Sequence, residues 1–376
     1  MRYAVLGAGD VGCAVGLALA AAGHDVIFLG RESPTGMALQ KAVSAGGATL
    51  KYGRSWQAAL SASACAAAFS MDPSRLAEAD VILLACKRVG NSTAASSIAK
   101  HAKLGARVVA LQNGVGIVDE LRHKLQQMSV TNEIGLFHAI INFNIVRELP
   151  EAGGAVFLWT SPRSKVPPCF QLPLAASDIA TAMDAAGLMA TTCADMEAAA
   201  YGKLIVNVCG NAINALSGLP IREMLRIRGY RALMVGAFRE VQAVLEGNQI
   251  SYDGSGGAMY VRLLSLPGPL VLLATSLIMD PRGKSSMWGD LQHNRRTEVD
   301  VLNGVIVELG KKASIPTPIN ARLQLLVHAA EAAQRGHPNL TPAAIADGLP
   351  PGTVDVADGW WQYLLRPAQA IPIAID

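Results

Sequence analysis

The sequence predicts an α/β domain built on a parallel sheet, followed by an all-α domain. Three observations carry this. Short β-rich runs alternate with helical runs over the first third of the chain. A glycine turn, Gly7-Ala8-Gly9-Asp10-Val11-Gly12, joins the first strand to the first helix. Beyond residue 176 the runs become long and helical, and no further strand stands out.

In order, "RYAVLGAG" reads as a strand entering the turn, "VGCAVGLALAAAG" as a small-residue helix closed by Gly23, and "HDVIFLGR" as a second strand. "ADVILLACK" and "ARVVALQNG" are later strands, separated by a helical piece around Ala94–Lys103. Apolar strands alternating with helices imply a parallel sheet covered on both faces. "EIGLFHAIINF" and "GAVFLWTS" are expected as edge strands, and "GGATLKYGRSW" as a small hairpin. Ala58–Phe69 is ambiguous between helix and strand. Ser161–Pro173, with four prolines, reads as a linker between domains. Helices are then expected over Ala176–Leu188, Asp195–Leu216, Ile221–Glu246, Ser286–Ala313 and Asn320–Arg335. The resulting division is 1–175, 176–335 and a C-terminal extension, 336–376, whose "GWWQYLLRP" is expected to dock on the helical domain.

Composition narrows the function. Of 376 residues, 51% are hydrophobic and 16% charged, which suits a large buried core and not a disordered chain. A net charge of +3 and 5% aromatic residues argue against nucleic acid as partner. The six cysteines form no CxxC pair and no zinc-type cluster, so they read as small core residues in a reducing, cytoplasmic compartment, with no metal expected. Leu266–Met279 is uncharged and apolar, but it is shorter than the ~20 residues of a spanning helix and contains Pro267 and Pro269. It reads as a core or interface helix, with a homodimer contact in view and no membrane span.

The glycine turn follows a strand and opens a helix, the context of a Rossmann-type dinucleotide site. Gly7 permits the tight turn, Gly9 the approach of a pyrophosphate, and Gly12 close helix–strand packing; Ala8, Asp10 and Val11 complete the loop. The second strand ends in Gly30-Arg31 where an NAD site would place Asp or Glu. A guanidinium suits the 2′-phosphate of NADPH, although Glu32, one position later, leaves NADH open. Lys87 and Asn113 follow consecutive apolar strands, where ligands of open α/β sheets bind.

A second constellation lies in "KLIVNVCGN". Lys203, Asn207 and Asn211 recur every four residues and share one helical face. A lone lysine there would read as a core residue reaching for solvent. Three polar residues in register point to a cleft wall. In "SSMWGDLQHNRRTEVDVLNG" the charges spread over several helical faces, and spacing alone does not isolate Glu298.

Together "VLGAGDVG", "LLACK", "LQNGVG", "KLIVNVCGNAINAL" and the "SSM…TEVD" block make the chain resemble the ketopantoate reductases (2-dehydropantoate 2-reductases), in order, over residues 1 to about 325. The resemblance implies a Rossmann domain, then a helical domain like the C-terminal domain of 6-phosphogluconate dehydrogenase, with catalysis in the cleft between them. It implies NADPH-dependent reduction of a small 2-oxo acid, 2-dehydropantoate to pantoate. It gives Lys203 the part of proton donor and Glu298 that of the nearby acid. Asn207, Asn211 and Ser286 become substrate-binding residues, and Arg31, Lys87 and Asn113 cofactor-binding ones. Hydride delivery to a ketone leaves charge on oxygen, which a positioned ammonium stabilises and protonates.

Three positions depart from the family pattern. Asn214 stands near a position that is often threonine, Ile221 replaces a polar residue, and "RGKSSM" lacks an asparagine. A bulkier 2-oxo acid therefore stays open as substrate, as does a non-catalytic NADPH sensor on the same fold. The β-hydroxyacid dehydrogenases also pair Lys with Asn four residues on, but their glycine-rich substrate loop is not found here.

Overall fold

The computed structural model describes residues 1–53, 55–130, 134–161, 168–253, 261–268, 270–271, 273–274 and 283–356. They form two compact units, Met1–Leu204 and a second beginning at Ile205.

The first unit runs β1 (Arg2–Leu6), α1 (Asp10–Ala21), β2 (Asp25–Leu29), α2 (Pro34–Gly46), β3 (Ala48–Tyr52), β4 (Trp56–Leu60), α3 (Ala62–Ala68), β5 (Phe69–Ser70) and β6 (Val81–Leu84). It continues with α4 (Asn91–His101), β7 (Arg107–Ala110), α5 (Ile117–Gln127), β8 (Gly135–His138), β9 (Ile140–Ile141), β10 (Ile145–Glu148) and β11 (Ala155–Trp159). Then follow β12 (Phe170–Pro173), α6 (Ser177–Ala185), β13 (Ala190–Cys193) and α7 (Met196–Ser217), which runs on into the second unit.

The main sheet has six parallel strands in the order β5-β2-β1-β6-β7-β8. Its order reverses between β1 and β6, where open α/β sheets bind ligands. Alternate residues feed two cores. Val5, Phe28, Leu83 and Val109 face α1. Ala4, Ile27, Ile82 and Val108 face α4 and α5. The expectation of a sheet buried on both faces is thereby met.

A second sheet, β10-β11-β3-β4, packs on the other side of α1. This explains why α1 is apolar all round: Gly12 through Leu19 are all buried, because the helix has sheet on both sides. The β3–β4 hairpin is the expected one. Ala58–Phe69 resolves as the end of β4 followed by α3.

Four expectations change. "GAVFLWTS" is no edge strand: β11 is hydrogen-bonded to β10 on one side and β3 on the other. "EIGLFHAIINF" lies at an edge as expected but divides in two, β8 being an edge of the main sheet and β9 an edge of a third sheet, β13-β12-β9. Part of the expected linker is strand β12, and its residues 162–167 lie outside the described ones. A strand does follow residue 176, since β13 pairs with β12, and Ala176, Ile179, Met183 and Leu188 are buried in the first unit's core. Paired strands supply the acceptors that a proline-rich segment could not show by its own periodicity.

The second unit is helical among its described residues. It contains α8 (Ile221–Arg226), α9 (Arg228–Gly247), α10 (Ser286–Gln292), α11 (Asn303–Ala313), α12 (Pro318–Ala333) and α13 (Pro342–Ala346). Two expected long helices are therefore broken, one at Ile227 and one between Gln292 and Asn303, where Asn294 takes a positive φ of 51°. The "GWWQYLLRP" segment lies outside the described residues, as does much of Leu266–Met279. Among the described residues no helix is long and apolar enough to cross a membrane.

A buried carboxylate organises this unit. Glu240 on α9 accepts from the main-chain N–H of Ile319 (2.7 Å) and Asn320 (2.9 Å) and from Asn320 Nδ2 (2.7 Å), capping α12. Asn303 Nδ2 on α11 donates to Asn320 Oδ1 at 3.0 Å and to the Val208 carbonyl of α7 at 3.2 Å. Burial pushes the Glu240 carboxyl up to about 7, against the opposing pull of its N–H donors.

Glu240→Ala leaves those buried donors without an acceptor and is expected to cost about 3 kcal/mol, seen as a lower urea midpoint. The native carboxyl titrates above its ordinary 4.5, so its contribution is full below pH 4.5 and is lost as pH rises through about 7. Urea midpoints should fall more between pH 5 and pH 8 in the wild type than in the alanine variant.

Candidate active site

The chain leaves β1 at Leu6 and turns at once. Gly7 and Ala8 donate to the Leu29 carbonyl at the end of β2, at 3.0 and 3.2 Å. Gly7 has φ +106°, and a Cβ there would stand 2.5 Å from the main-chain nitrogen of Cys86, just past β6. Only glycine permits that approach. Gly9 contrasts with it: a Cβ there would meet nothing within 4 Å. Gly9 is also the N-cap of α1, with no side chain capping the helix. The first N–H groups of α1 thus open on an uncrowded cradle, which fits a pyrophosphate. Asp10 is engaged by Arg147 Nε at 3.3 Å. Arg31 is exposed just past β2, its carbonyl wedged against Gly36.

Lys87 and Asn113 sit half-buried just past the ends of neighbouring strands β6 and β7. The two turns are laced together by residues that sequence reading passed over. Gln112 Nε2 donates to the Cys86 carbonyl (2.8 Å) and to Asn91 Oδ1 (2.6 Å). Asn91 Nδ2 and Arg88 Nε donate to Glu120 at 3.2 and 2.6 Å, and Arg88 also reaches the Val115 carbonyl at 2.8 Å. Gln112 and Asn91 are buried, so their amides are fixed by the fold. The only sequence signal was their place beside Lys87 and Asn113.

On α7 the burial pattern settles what "KLIVNVCGN" is. Lys203, Val206, Asn207, Gly210 and Asn211 are partly or fully exposed, whereas Leu204, Ile205, Val208 and Cys209 are buried. The polar residues lie on the helix's accessible stripe, one turn apart, and the apolar ones anchor the opposite face. The Lys203 ammonium donates to the main-chain oxygen of Ile141, three residues beyond the end of β8. In the first unit this draws Lys203 toward the carboxyl-terminal side of the main sheet, where the glycine turn, Lys87 and Asn113 also lie.

His138, another residue not foreseen, ends β8 there. Its Nε2 is 3.0 Å from the Gln112 carbonyl. Burial first, then repulsion from Lys203 and Arg88, lowers its pKa to about 4, against that hydrogen bond. A neutral ring donates from Nε2 to the carbonyl and holds the turn carrying Asn113.

In the second unit, Ser286 is exposed at the first position of α10, while its neighbour Ser285 is buried and caps that helix. Ser285 N donates to Asn214 Oδ1 (2.9 Å), and Ser285 Oγ donates to the Asn211 carbonyl (3.3 Å). Asn214 Nδ2 donates to the Leu219 carbonyl at 2.8 Å. Both ends of the Asn214 amide are therefore committed to the protein. Ile221 N donates to the Gly283 carbonyl at 2.9 Å. Glu298 is half-buried in the break before α11, where Val301 N donates to its carbonyl at 3.2 Å. Among the described residues no three or more His, Cys, Asp or Glu side chains converge as a metal site.

Residues 3–142 match the family described as ketopantoate reductase PanE/ApbA, and residues 195–331 match its C-terminal domain. The chain belongs to the ketopantoate reductase family. It is thus an oxidoreductase of that family, as its motifs implied. The 2-dehydropantoate 2-reductase of Archaeoglobus fulgidus is 26% identical over 334 residues, covering 88% of this chain and 98% of that protein. That of Vibrio cholerae is 24% identical, covering 86% and 95%. Among solved structures, a PanE/ApbA family ketopantoate reductase from Ralstonia eutropha JMP134 is similar with a TM-score of 0.70 and 28% identity, over 89% of this chain and all of that one. D-mandelate dehydrogenase with NADH and anilino(oxo)acetate shares the fold at a TM-score of 0.66 and 20% identity, over 89% of this chain and 99% of that one. Within the ketopantoate reductase family fold, the glycine turn and the α7 stripe occupy the two matched regions.

His138 is expected to stay neutral through the physiological range, so its imidazole resonances should not move between pH 8 and pH 6 in a ¹⁵N-histidine NMR titration. Its native pKa lies below the ordinary 6.5, so its stabilising contribution is present above pH 6.5 and is lost as pH falls through about 4.

Proposed function

We propose that this chain reduces 2-dehydropantoate to pantoate with NADPH, and that Lys203 is the proton donor. The observation that carries the reading is the Lys203 ammonium, on the accessible stripe of α7 and drawn to the main chain just beyond β8. When bound, NADPH supplies the hydride. Lys203 meets the negative charge that grows on the substrate oxygen and gives it a proton, leaving a 2-hydroxy acid; solvent then reprotonates the amine. Asn207, Asn211 and Ser286 offer amide and hydroxyl donors suited to the carboxylate and oxo group of the substrate. Glu298 supplies the catalytic carboxylate.

The uncrowded cradle at Gly9 supports pyrophosphate binding by Gly7–Gly12, with Lys87 and Asn113 completing the cofactor site. Exposed Arg31, with no acidic residue ending β2, supports NADPH over NADH. The thiol state of all six cysteines supports a cytoplasmic setting. Exposed Leu266, Leu270 and Leu273 support a homodimer contact.

A second reading rests on the family departures. Asn214 is spent inside the protein, and apolar Ile221 stands where a polar side chain is usual. These favour a bulkier 2-oxo acid. A panel of 2-oxo acids, followed by NADPH absorbance, decides between the substrates. Tight NADPH binding with no turnover on any of them would make the chain a sensor.

Lys203→Ala is expected to lower kcat at least about a hundredfold. NADPH affinity, read by fluorescence titration, should stay within about twofold; a large loss of binding counts against the donor role. Arg31→Ala is expected to raise KM for NADPH about tenfold, by removing charge-assisted hydrogen bonds, with KM for NADH little changed.

A further inference from the structure

One face of α12 grips the chain around Glu298 through one main-chain group and one side chain. Gln324, His328 and Glu331 lie at successive turns of that helix. Glu331 Oε1 accepts the main-chain N–H of Thr297 at 2.6 Å, immediately before Glu298. Glu331 Oε2 is 3.1 Å from His328 Nδ1, and His328 Nε2 is 2.8 Å from Asp300 Oδ1, two residues after Glu298. Gln324 Nε2 donates to the same Asp300 oxygen at 2.8 Å. Thr297 Oγ1 accepts from Val299 N at 3.2 Å, and Thr297 is itself buried.

We propose that His328 and Glu331 are positioning residues for Glu298, holding from α12 the main chain at Thr297 on one side of it and the Asp300 side chain on the other. This rests on the reading of Glu298 as the catalytic carboxylate. The physical case is the contrast between the site and its support. Glu298 lies in a helix break, ahead of a single turn of 3₁₀ structure, and so is not carried by a regular helix of its own. A carboxylate that must act at one place needs its backbone held to within a fraction of an ångström. The clamp supplies this from a sixteen-residue helix whose own N-terminus is tied to buried Glu240. Both ring nitrogens of His328 face carboxylate oxygens, which only accept, so the ring serves as a doubly protonated bridge. Burial lowers its pKa, yet the bonds to Glu331 and Asp300 outweigh that and hold it above the ordinary histidine range. A merely structural contact would lie anywhere along α12; these converge on residues 297 and 300.

The test uses steady-state kinetics of the full chain with NADPH and its best 2-oxo acid. Glu331→Ala and His328→Leu are each expected to lower kcat about tenfold, with KM for NADPH within about twofold. Glu331→Gln keeps an oxygen for Thr297 N–H and should recover most of the kcat lost in the alanine variant. In a Glu298→Gln background, already slow, adding His328→Leu should cost no further rate, because both act through one carboxylate. If Glu331→Ala does not fold, His328→Leu, which leaves the Thr297 bond intact, answers the same question. Wild-type kcat in His328→Leu alongside a slow Glu298→Gln overturns the positioning role alone. Wild-type kcat in Glu298→Gln overturns the reading of Glu298, and the positioning role with it. An equal further loss of rate on adding His328→Leu to Glu298→Gln also overturns it.

Discussion

The first unit depends on one close approach: the turn after β1 runs against the turn after β6, with room at Gly7 for a hydrogen and nothing larger. Because β1 and β6 are neighbours at the reversal of strand order, that approach fixes where α1 begins and which way its first N–H groups face. It also limits what α1 can be. Sheet lies on both sides of the helix, so small apolar residues are needed along nearly its whole surface. Gly7 and Gly12 thus answer one requirement, close passage of backbone, whereas Gly9 leaves open space.

Around that frame, polarity is used in two ways that sequence composition does not separate. Gln112, Asn91, Asn214, Asn303, Asn320 and Glu240 are buried and spend their hydrogen bonds inside the protein, joining turns to helices. A side chain left wholly unpaired in the core would be costly, so each of these is held by at least one hydrogen bond, although the amide oxygens of Gln112 and Asn303 are buried without one. Lys203, Asn207 and Asn211 instead line the accessible stripe of a helix whose other faces are apolar. Asn211 and Asn214 are three residues apart, yet one faces outward and the other is walled in by Leu219 and Ser285.

Legibility followed the range of the interactions involved. The glycine turn could be read because strand, turn and helix are adjacent in the chain. The Lys203–Asn207–Asn211 stripe could be read because helical spacing alone puts three residues on one face. Glu298 could not be isolated by spacing, since the helix expected across it is broken at Asn294 and the residue sits in an irregular turn. Only the resemblance singled it out. His138, Gln112 and Ser285 were missed because each acts through main-chain groups distant in sequence. β12 and β13 were missed because short strands declare themselves through pairing and not through pattern.

By itself the sequence determined the fold class, the glycine cradle, the exposed arginine after β2 and the polar stripe on α7, all set by backbone sterics and by periodicity within one element. The tertiary structure alone decided that Asn214 is scaffold and Asn211 surface. It also drew Lys203 to Ile141, enclosed His138 as a neutral ring, and set α12 against the turn that carries Glu298. Those outcomes depend on which distant carbonyl or carboxylate a side chain meets, and that is fixed only when separate elements pack together.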